Sequence, residues 1–328
     1  MLSFWHVHAK DYARQAANHP ESKIVAAWDE DPERGKTEAS KLQAEYYESL
    51  DSLLSNPEID AVIVNAPTSM HRDVIVQAAQ AGKHIFTEKV LASTLKQCNE
   101  ILEAVNENGV ALVVSLPRIN DDYTLAIQNL LNRGLLGKVT LVRTRLSHNG
   151  AIAGWLPDHF YNKEQCGGGA LIDLGCHPMY LTRLFLGQMP EQVSASYGFI
   201  TGKEVEDNAV SVLTCQDGSI GIAEAGFVNS HSPFTIEVHG TDGTALYSSH
   251  DGKLLVRSNI MPEMKDQWNE IEMPPKRMSA FEQWVQHIND GTTADANIEL
   301  AVDLTKLMEA SNLSAASGQA VRIEQLQK

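Results

Sequence analysis

Through the first hundred or so positions, short apolar runs alternate with amphipathic stretches. KIVAAWDED is an apolar run ending in acids and predicts a strand. DPERGKTEASKLQAEY follows with helical composition and Pro32 at a helix-start position. IDAVIVNAPTS is rich in Val and Ile, as a strand buried on both faces should be. SMHRDVIVQAAQAGK predicts a helix closed by Gly82, HIFTEKV a short strand, STLKQCNEILEAVNENG an amphipathic helix with Gly109 at its end, and VALVVSLP another strand. Repeated βα units predict a parallel sheet covered by helices, a doubly wound Rossmann-type domain over residues 1–117.

After Pro117 the period changes. DDYTLAIQNLLNRGLLGKV predicts one long helix ending near Gly134 and Gly137. Then VTLVRTRLS, QVSASYGFI, NAVSVLTCQDGSIGIAEAGFV, FTIEVHGTDGTALYS and KLLVRS read as strands, with QDGS and TDGT as hairpin turns. GALIDLGCHPMYLTRLFLG interrupts them as one helix, and RMSAFEQWVQHIND and NIELAVDLTKLMEASNLSAASG close the chain as helices. Residues 118–328 therefore predict an α+β domain with a large open, mainly antiparallel sheet, whose last helices can pack back on the first domain.

Length and charge narrow the function. The 328 residues suffice for two cores. A net charge of −16 argues against nucleic acid or an anionic membrane surface as partner. No apolar run approaches the roughly 18–20 residues that span a bilayer, and no signal peptide is legible. Cys98, Cys166, Cys176 and Cys215 show neither zinc-site nor disulfide spacing, so no metal is expected and the reducing cytoplasm is the expected location.

Three places carry candidate chemistry. Asp29 stands about 20 residues after the opening turn, where an acid can accept hydrogen bonds from an adenosine ribose; an acid ahead of Pro32 equally complements a helix dipole. Glu88 and Lys89 end a strand, where doubly wound folds place ligands, although a Glu-Lys pair is also an ordinary solvated surface. Asp173 and His177, four apart behind three glycines, share one face of a helix and suit an orienter and a base; a buried histidine near a helix-start acid is the plainer alternative.

Taken together, these segments resemble the Gfo/Idh/MocA oxidoreductases, a family that includes glucose–fructose oxidoreductase and inositol 2-dehydrogenase. The likeness runs through WDEDPERG, AVIVNAPTSMHRDVIVQAAQAGKHIFTEKV, GGGALIDLGCHP, EDNAVSVLTCQDGSIGIAEAGF, VHGTDGTAL and NLSAASGQAVRI, in that order. The resemblance implies an NAD-dependent dehydrogenase acting on a sugar, cyclitol or related polyol. It implies Lys89 between nicotinamide and substrate, Asp173 holding the reacting hydroxyls, and His177 as general acid/base, the three converging on one cleft. It implies Asp29 as the ribose acid, selecting NAD over NADP. Asn65, Pro67, Thr68 and His71 belong to a turn beside the cofactor, with Glu88 at the same edge. Arg118, and Tyr180 at a position where the family often has Asp, are placed near substrate. EKV replaces the family's EKP, so Val90 changes how the lysine is presented.

The opening LSFWHVHAKDYA aligns with the family's glycine-rich turn yet has no glycine; Ser3, Trp5 and His8 take the three glycine-type positions. If NAD binds, its pyrophosphate lies near the backbone of Ser3, Phe4, Trp5, His6 and Val7, with Trp5 turned away and His6 or His8 replacing lost contacts. Only Met1 and Leu2 precede Ser3, so either the start lies downstream of the natural one or the first strand is very short. An NAD-dependent glycoside hydrolase and a non-catalytic ligand-binding relative remain open alternatives. Alternating apolar positions such as SVLTC and FTIEV predict a homodimer or homotetramer joined through the outer sheet face.

Overall fold

The computed structural model describes residues 1–327. They divide into two compact units, Met1–Leu116 with Met278–Val302, and Pro117–Arg277 with Asp303–Gln327.

In the first unit, β1 (Ala26–Ala27) pairs in parallel with β2 (Glu45–Tyr46), and β3 (Ala61–Val64), β4 (His84–Thr87) and β5 (Leu112–Val114) form a parallel run. Leu2 joins the two sets by parallel bridges to Trp28 on one side and Val64 on the other. The opening residues thus fill the central strand position, with Ser3 N–H donating to the Trp28 carbonyl and Leu2 N–H to that of Ile63. β1 is two residues long rather than the whole of KIVAAWD, because pairing on that edge stops with the short β2.

Helices α1 (Ala9–Asn18), α2 (Pro32–Leu42), α3 (Leu50–Leu54), α4 (His71–Gln80) and α5 (Leu95–Asn108) follow the strands. Each start has a local cause where the sequence supplies one. Asp31 caps α2 by accepting from Glu33 and Arg34 N–H, and Thr94 caps α5 through Gln97 N–H. α1 buries Ala9, Tyr12, Ala13 and Ala16, one helical stripe. The later helix Ala280–Asp290 opens with a Ser279–Glu282 capping box and adds Phe281, Trp284 and Val285 to the core around Met1, Tyr12, Phe86 and Val113. The chain therefore returns to the first unit after leaving it at Leu116.

The second unit is built on a nine-stranded sheet. Its strands are β6 (Val139–Ser147), β7 (Gln192–Gly198), β8 (Asn208–Thr214), β9 (Ile220–Gly226), β10 (Thr235–Gly240), β11 (Gly243–Ser248), β12 (Lys253–Ser258), β13 (Asn269–Glu270) and β14 (Val321–Arg322), in the order 13-12-11-10-6-9-8-7-14. Every neighbouring pair is antiparallel except β6 and β9. The QDGS turn joins β8 to β9 with Gly218 at φ +86°, and the TDGT turn joins β10 to β11. The helix Cys176–Leu186 covers one face. A side chain at Gly221 would come within 2.6 Å of Thr182 and 2.9 Å of Leu186, so glycine lets helix and strand approach. α6 (Asp122–Asn132) stops before Gly134 and Gly137, both at positive φ, and is shorter than the expected helix. No helix among the described residues is long and apolar enough to cross a membrane.

Candidate functional site

The opening turn keeps the shape of a glycine turn without glycine. Ser3, at the first glycine-type position, adopts φ +66°, a left-handed conformation that costs a non-glycine residue about 1–2 kcal/mol. Two bonds to side chains and one to a backbone carbonyl hold it there. Asp29 Oδ2 accepts from Phe4 N–H at 2.8 Å, Ser3 Oγ accepts from Trp5 N–H at 3.1 Å, and the Asn65 carbonyl accepts from His6 N–H at 3.2 Å. The Trp5 ring is buried, 6.1 Å from that of His6.

Asp29 is turned inward. Beside Phe4 N–H, its oxygens accept from Asp31 N–H at 2.8 Å and from Arg34 Nε and Nη2 at 3.0 and 2.6 Å, a bidentate pair. Each oxygen already has two donors. Glu30 differs: its Oε2 is buried with no partner, and burial raises its carboxyl above the ordinary value although Ser3 and Arg34 oppose this. Sequence reasoning passed over both Glu30 and Arg34; the legible signal was a second acid beside Asp29 and a base one helical turn on.

At the end of β4, Glu88 is 1 % exposed. Its Oε1 meets His8 Nδ1 at 2.7 Å, accepts from the Tyr12 hydroxyl, and lies 3.6 Å from His6 Nδ1; its Oε2 accepts from Lys89 N–H at 2.9 Å. Tyr12 also lies 2.7 Å from Ser115 Oγ. Burial pushes the Glu88 carboxyl up, but His6, His8 and Lys89 outweigh it and hold the group well below the ordinary range. His6, His8 and Glu88 are also the one group among the described residues whose ligand atoms lie within 4.8 Å of one another as a metal would need. The hydrogen bonds from His8, Tyr12 and the Lys89 N–H account for that arrangement.

A carboxyl with a depressed native value contributes stability above the ordinary carboxylate range and loses it as pH falls through the depressed value. Glu88→Gln is therefore expected to be less stable than wild type at neutral pH, the gap closing as pH falls below 4.5. Urea midpoints across an acid series check this, and a gap independent of pH would refute it.

His71 is a clip. Its Nδ1 lies 2.8 Å from the Val90 carbonyl and its Nε2 3.0 Å from that of Ala66. It ties the turn after β3 to the Lys89–Val90 peptide, which is cis. Burial lowers its basicity despite the two carbonyls. Pro67 leads the 3-10 turn Thr68–Met70. Asn65 is 0 % exposed with both amide atoms unpartnered. A buried amide left unpaired is costly, so this position suits a polar ligand. The N–H groups of Val7 and Lys10, at the start of α1, also find no acceptor among the described residues. An orphaned amide and unspent donors at a helix N-terminus fit a dinucleotide's amide, hydroxyl and phosphate groups.

In the second unit, the segment expected to be one helix is two, Ala170–Asp173 and Cys176–Leu186, broken at Leu174–Gly175. Asp173 ends the first and His177 begins the second. Glu206, 3 % exposed, caps the start of the first: both its oxygens accept from Gly169 N–H at 2.9 Å, and Oε1 accepts from Leu171 N–H at 3.0 Å. Gly169 must be glycine, since a Cβ would stand 2.1 Å from the Glu206 carbonyl oxygen. Tyr180 Oη lies 3.0 Å from His177 Nδ1. The charge of Asp173 is felt by His148. Tyr180 is buried behind His177. Arg118 donates from Nη1 to the Tyr123 hydroxyl at 3.0 Å and lies over the Phe234 ring at 4.5 Å. Glu206, Tyr12 and Ser115 were not legible as site residues; the only trace was an acidic pair just ahead of an alternating strand.

A parallel βα sheet with an opening turn, an acid pair and an orphaned amide at its carboxyl edge defines a dinucleotide-binding domain. The chain belongs to the GFO/IDH/MocA family: residues 6–116 match the description "Oxidoreductase family, NAD-binding Rossmann fold", and residues 124–246 match the "GFO/IDH/MocA C-terminal domain". It is an NAD-binding oxidoreductase. It is 30 % identical over 246 residues to scyllo-inositol 2-dehydrogenase (NAD(+)) of Bacillus subtilis, covering 72 % of this chain and 68 % of that one. It is 29 % identical over 245 residues to 1,5-anhydro-D-fructose reductase of Ensifer adhaerens, covering 73 % and 72 %. A structure of levoglucosan dehydrogenase with NADH and levoglucosan shares the fold, with a TM-score of 0.85 over 99 % of this chain and 98 % of that one at 18 % identity.

Proposed function

We propose that this chain oxidises or reduces a hydroxyl-bearing carbon of a sugar, cyclitol or related polyol. The observation that carries the reading is the break at Leu174–Gly175, which follows the turn that Glu206 caps and leaves Asp173 at the end of one helix and His177 at the start of the next. Asp173 and His177 orient the reacting oxygen and manage its proton, and Lys89 is a further candidate at the end of β4. NAD, when bound, supplies the hydride chemistry. The unpaired Asn65 amide and the Val7 and Lys10 N–H groups hold the cofactor, and the Asp29–Glu30 pair receives its ribose through the Glu30 oxygen that has no other partner. Arg34 is clamped by both acids, so their charge disfavours a 2′-phosphate. The names of the relatives, a dehydrogenase of scyllo-inositol and a reductase of an anhydrosugar, support the substrate class.

The test is titration of NAD and NADH by fluorescence, followed by a polyol screen. Saturable binding and steady NADH formation are expected. Glycoside cleavage without net NADH would replace this reading with a hydrolase, and absence of NAD binding with a non-catalytic relative.

We also propose a homodimer or homotetramer joined through the sheet face away from the Cys176–Leu186 helix. Half-buried Leu141, Val210, Val212, Ile222, Leu246 and Leu255 alternate with the buried positions of their strands. Light scattering is expected to give at least twice the monomer mass; a monomer at all working concentrations refutes it.

A further inference from the structure

Tyr180 is 0 % exposed, and its hydroxyl has two neighbours. The backbone N–H of Arg118 donates to the phenol oxygen at 3.1 Å, and His177 Nδ1 lies 3.0 Å away. A backbone N–H can only donate, so the phenol oxygen accepts from Arg118. The phenol proton then needs an acceptor, and among the described residues His177 Nδ1 is the one in reach. In the opposite arrangement, Nδ1–H points at the phenol and the buried O–H has no acceptor. At the ordinary cost of such a group, the first arrangement is favoured by roughly ten-fold or more. Burial also drives the ionisation of Tyr180 well above the ordinary range, so the phenol keeps its proton.

We propose that Tyr180 is a positioning residue that holds neutral His177 with its proton on Nε2, so that His177 meets the substrate oxygen as a hydrogen-bond donor. This rests on the dehydrogenase reading. Nε2–H steadies negative charge on the reacting oxygen without giving its proton up. The hydroxyl proton passes to water as hydride leaves carbon and returns from water in the reverse direction, so the histidine acts as an electrostatic partner.

Nitrogen-15 NMR of ring-labelled histidine in the full-length protein decides between the tautomers, with the His177 signal assigned by its loss in His177→Gln. The expected result is a protonated Nε2 and a bare, hydrogen-bonded Nδ1; a protonated Nδ1 in wild type overturns the proposal whether or not any Tyr180 variant folds. In Tyr180→Phe the proton is expected to move toward Nδ1, and kcat to fall about ten-fold or more with KM little changed. A Phe variant with the wild-type tautomer also overturns it. A His177→Gln enzyme with wild-type turnover defeats the functional reading, whereas a reversed tautomer with an inactive His177→Gln enzyme defeats the role of Tyr180 alone.

Discussion

Replacing His177 with alanine is expected to cut turnover by about 10²–10⁴-fold, the usual worth of a side chain that manages a proton or the charge it leaves. The fold should survive. The side chain is buried, and its removal strands the Tyr180 hydroxyl, at a cost of about 1–3 kcal/mol. Steady-state kinetics and a thermal melt on the same preparation separate the two effects. A Lys89→Met protein is expected to lose turnover as well, which tests the proposed part of that lysine in the chemistry. A histidine variant that turns over at the wild-type rate would remove His177 from the chemistry.

The second large effect is expected at Glu206. Its carboxylate is the acceptor for two buried N–H groups, those of Gly169 and Leu171. Glu206→Ala leaves both unpaired, at about 1–3 kcal/mol each, and loosens the turn that ends in Asp173. Stability and kcat should fall together. Gly169→Ala should do the same by the opposite route, forcing a methyl against the Glu206 carbonyl at or beyond the roughly 1–3 kcal/mol usual for overpacking. Glu206→Gln should be milder, since one acceptor oxygen remains. Burial raises the Glu206 carboxyl above its ordinary value although its N–H donors oppose this. A raised native value favours the folded state at low pH, and this advantage is lost as pH rises through that value. The Gln variant lacks that dependence, so its deficit relative to wild type should be larger in acid than at neutral pH. Chemical denaturation at several pH values checks the sign; a Glu206→Ala protein with unchanged stability would show that the carboxylate does not organise the turn.

Much of the architecture was legible because its causes are local. Alternation of β and α periods specified a doubly wound first domain, and the QDGS and TDGT turns placed two hairpins where the structure has them. The break in GALIDLGCHPMYL was not legible. Helical periodicity runs through it, and the residue that caps the turn before it, Glu206, lies 37 residues away from Gly169. The opening turn is a similar case. Its sequence lacks glycine, yet Ser3 takes a positive φ, because Asp29, 25 residues on, accepts from the neighbouring Phe4 N–H.

Local pattern specified the classes of element, their order and the family, and it named Lys89, Asp173 and His177 as candidates. Side-chain period and turn chemistry are properties of neighbouring residues, and they survive any packing. Only the tertiary structure decided which partners those groups have. Glu88 meets Tyr12 76 residues away, Ser115 lies 103 residues from Tyr12, and the Arg118 N–H donates to Tyr180 62 residues on. A buried polar atom must find a partner wherever the fold brings one, so no local pattern encodes its choice. The same necessity pairs the buried Tyr180 hydroxyl with the Arg118 N–H and with His177 Nδ1.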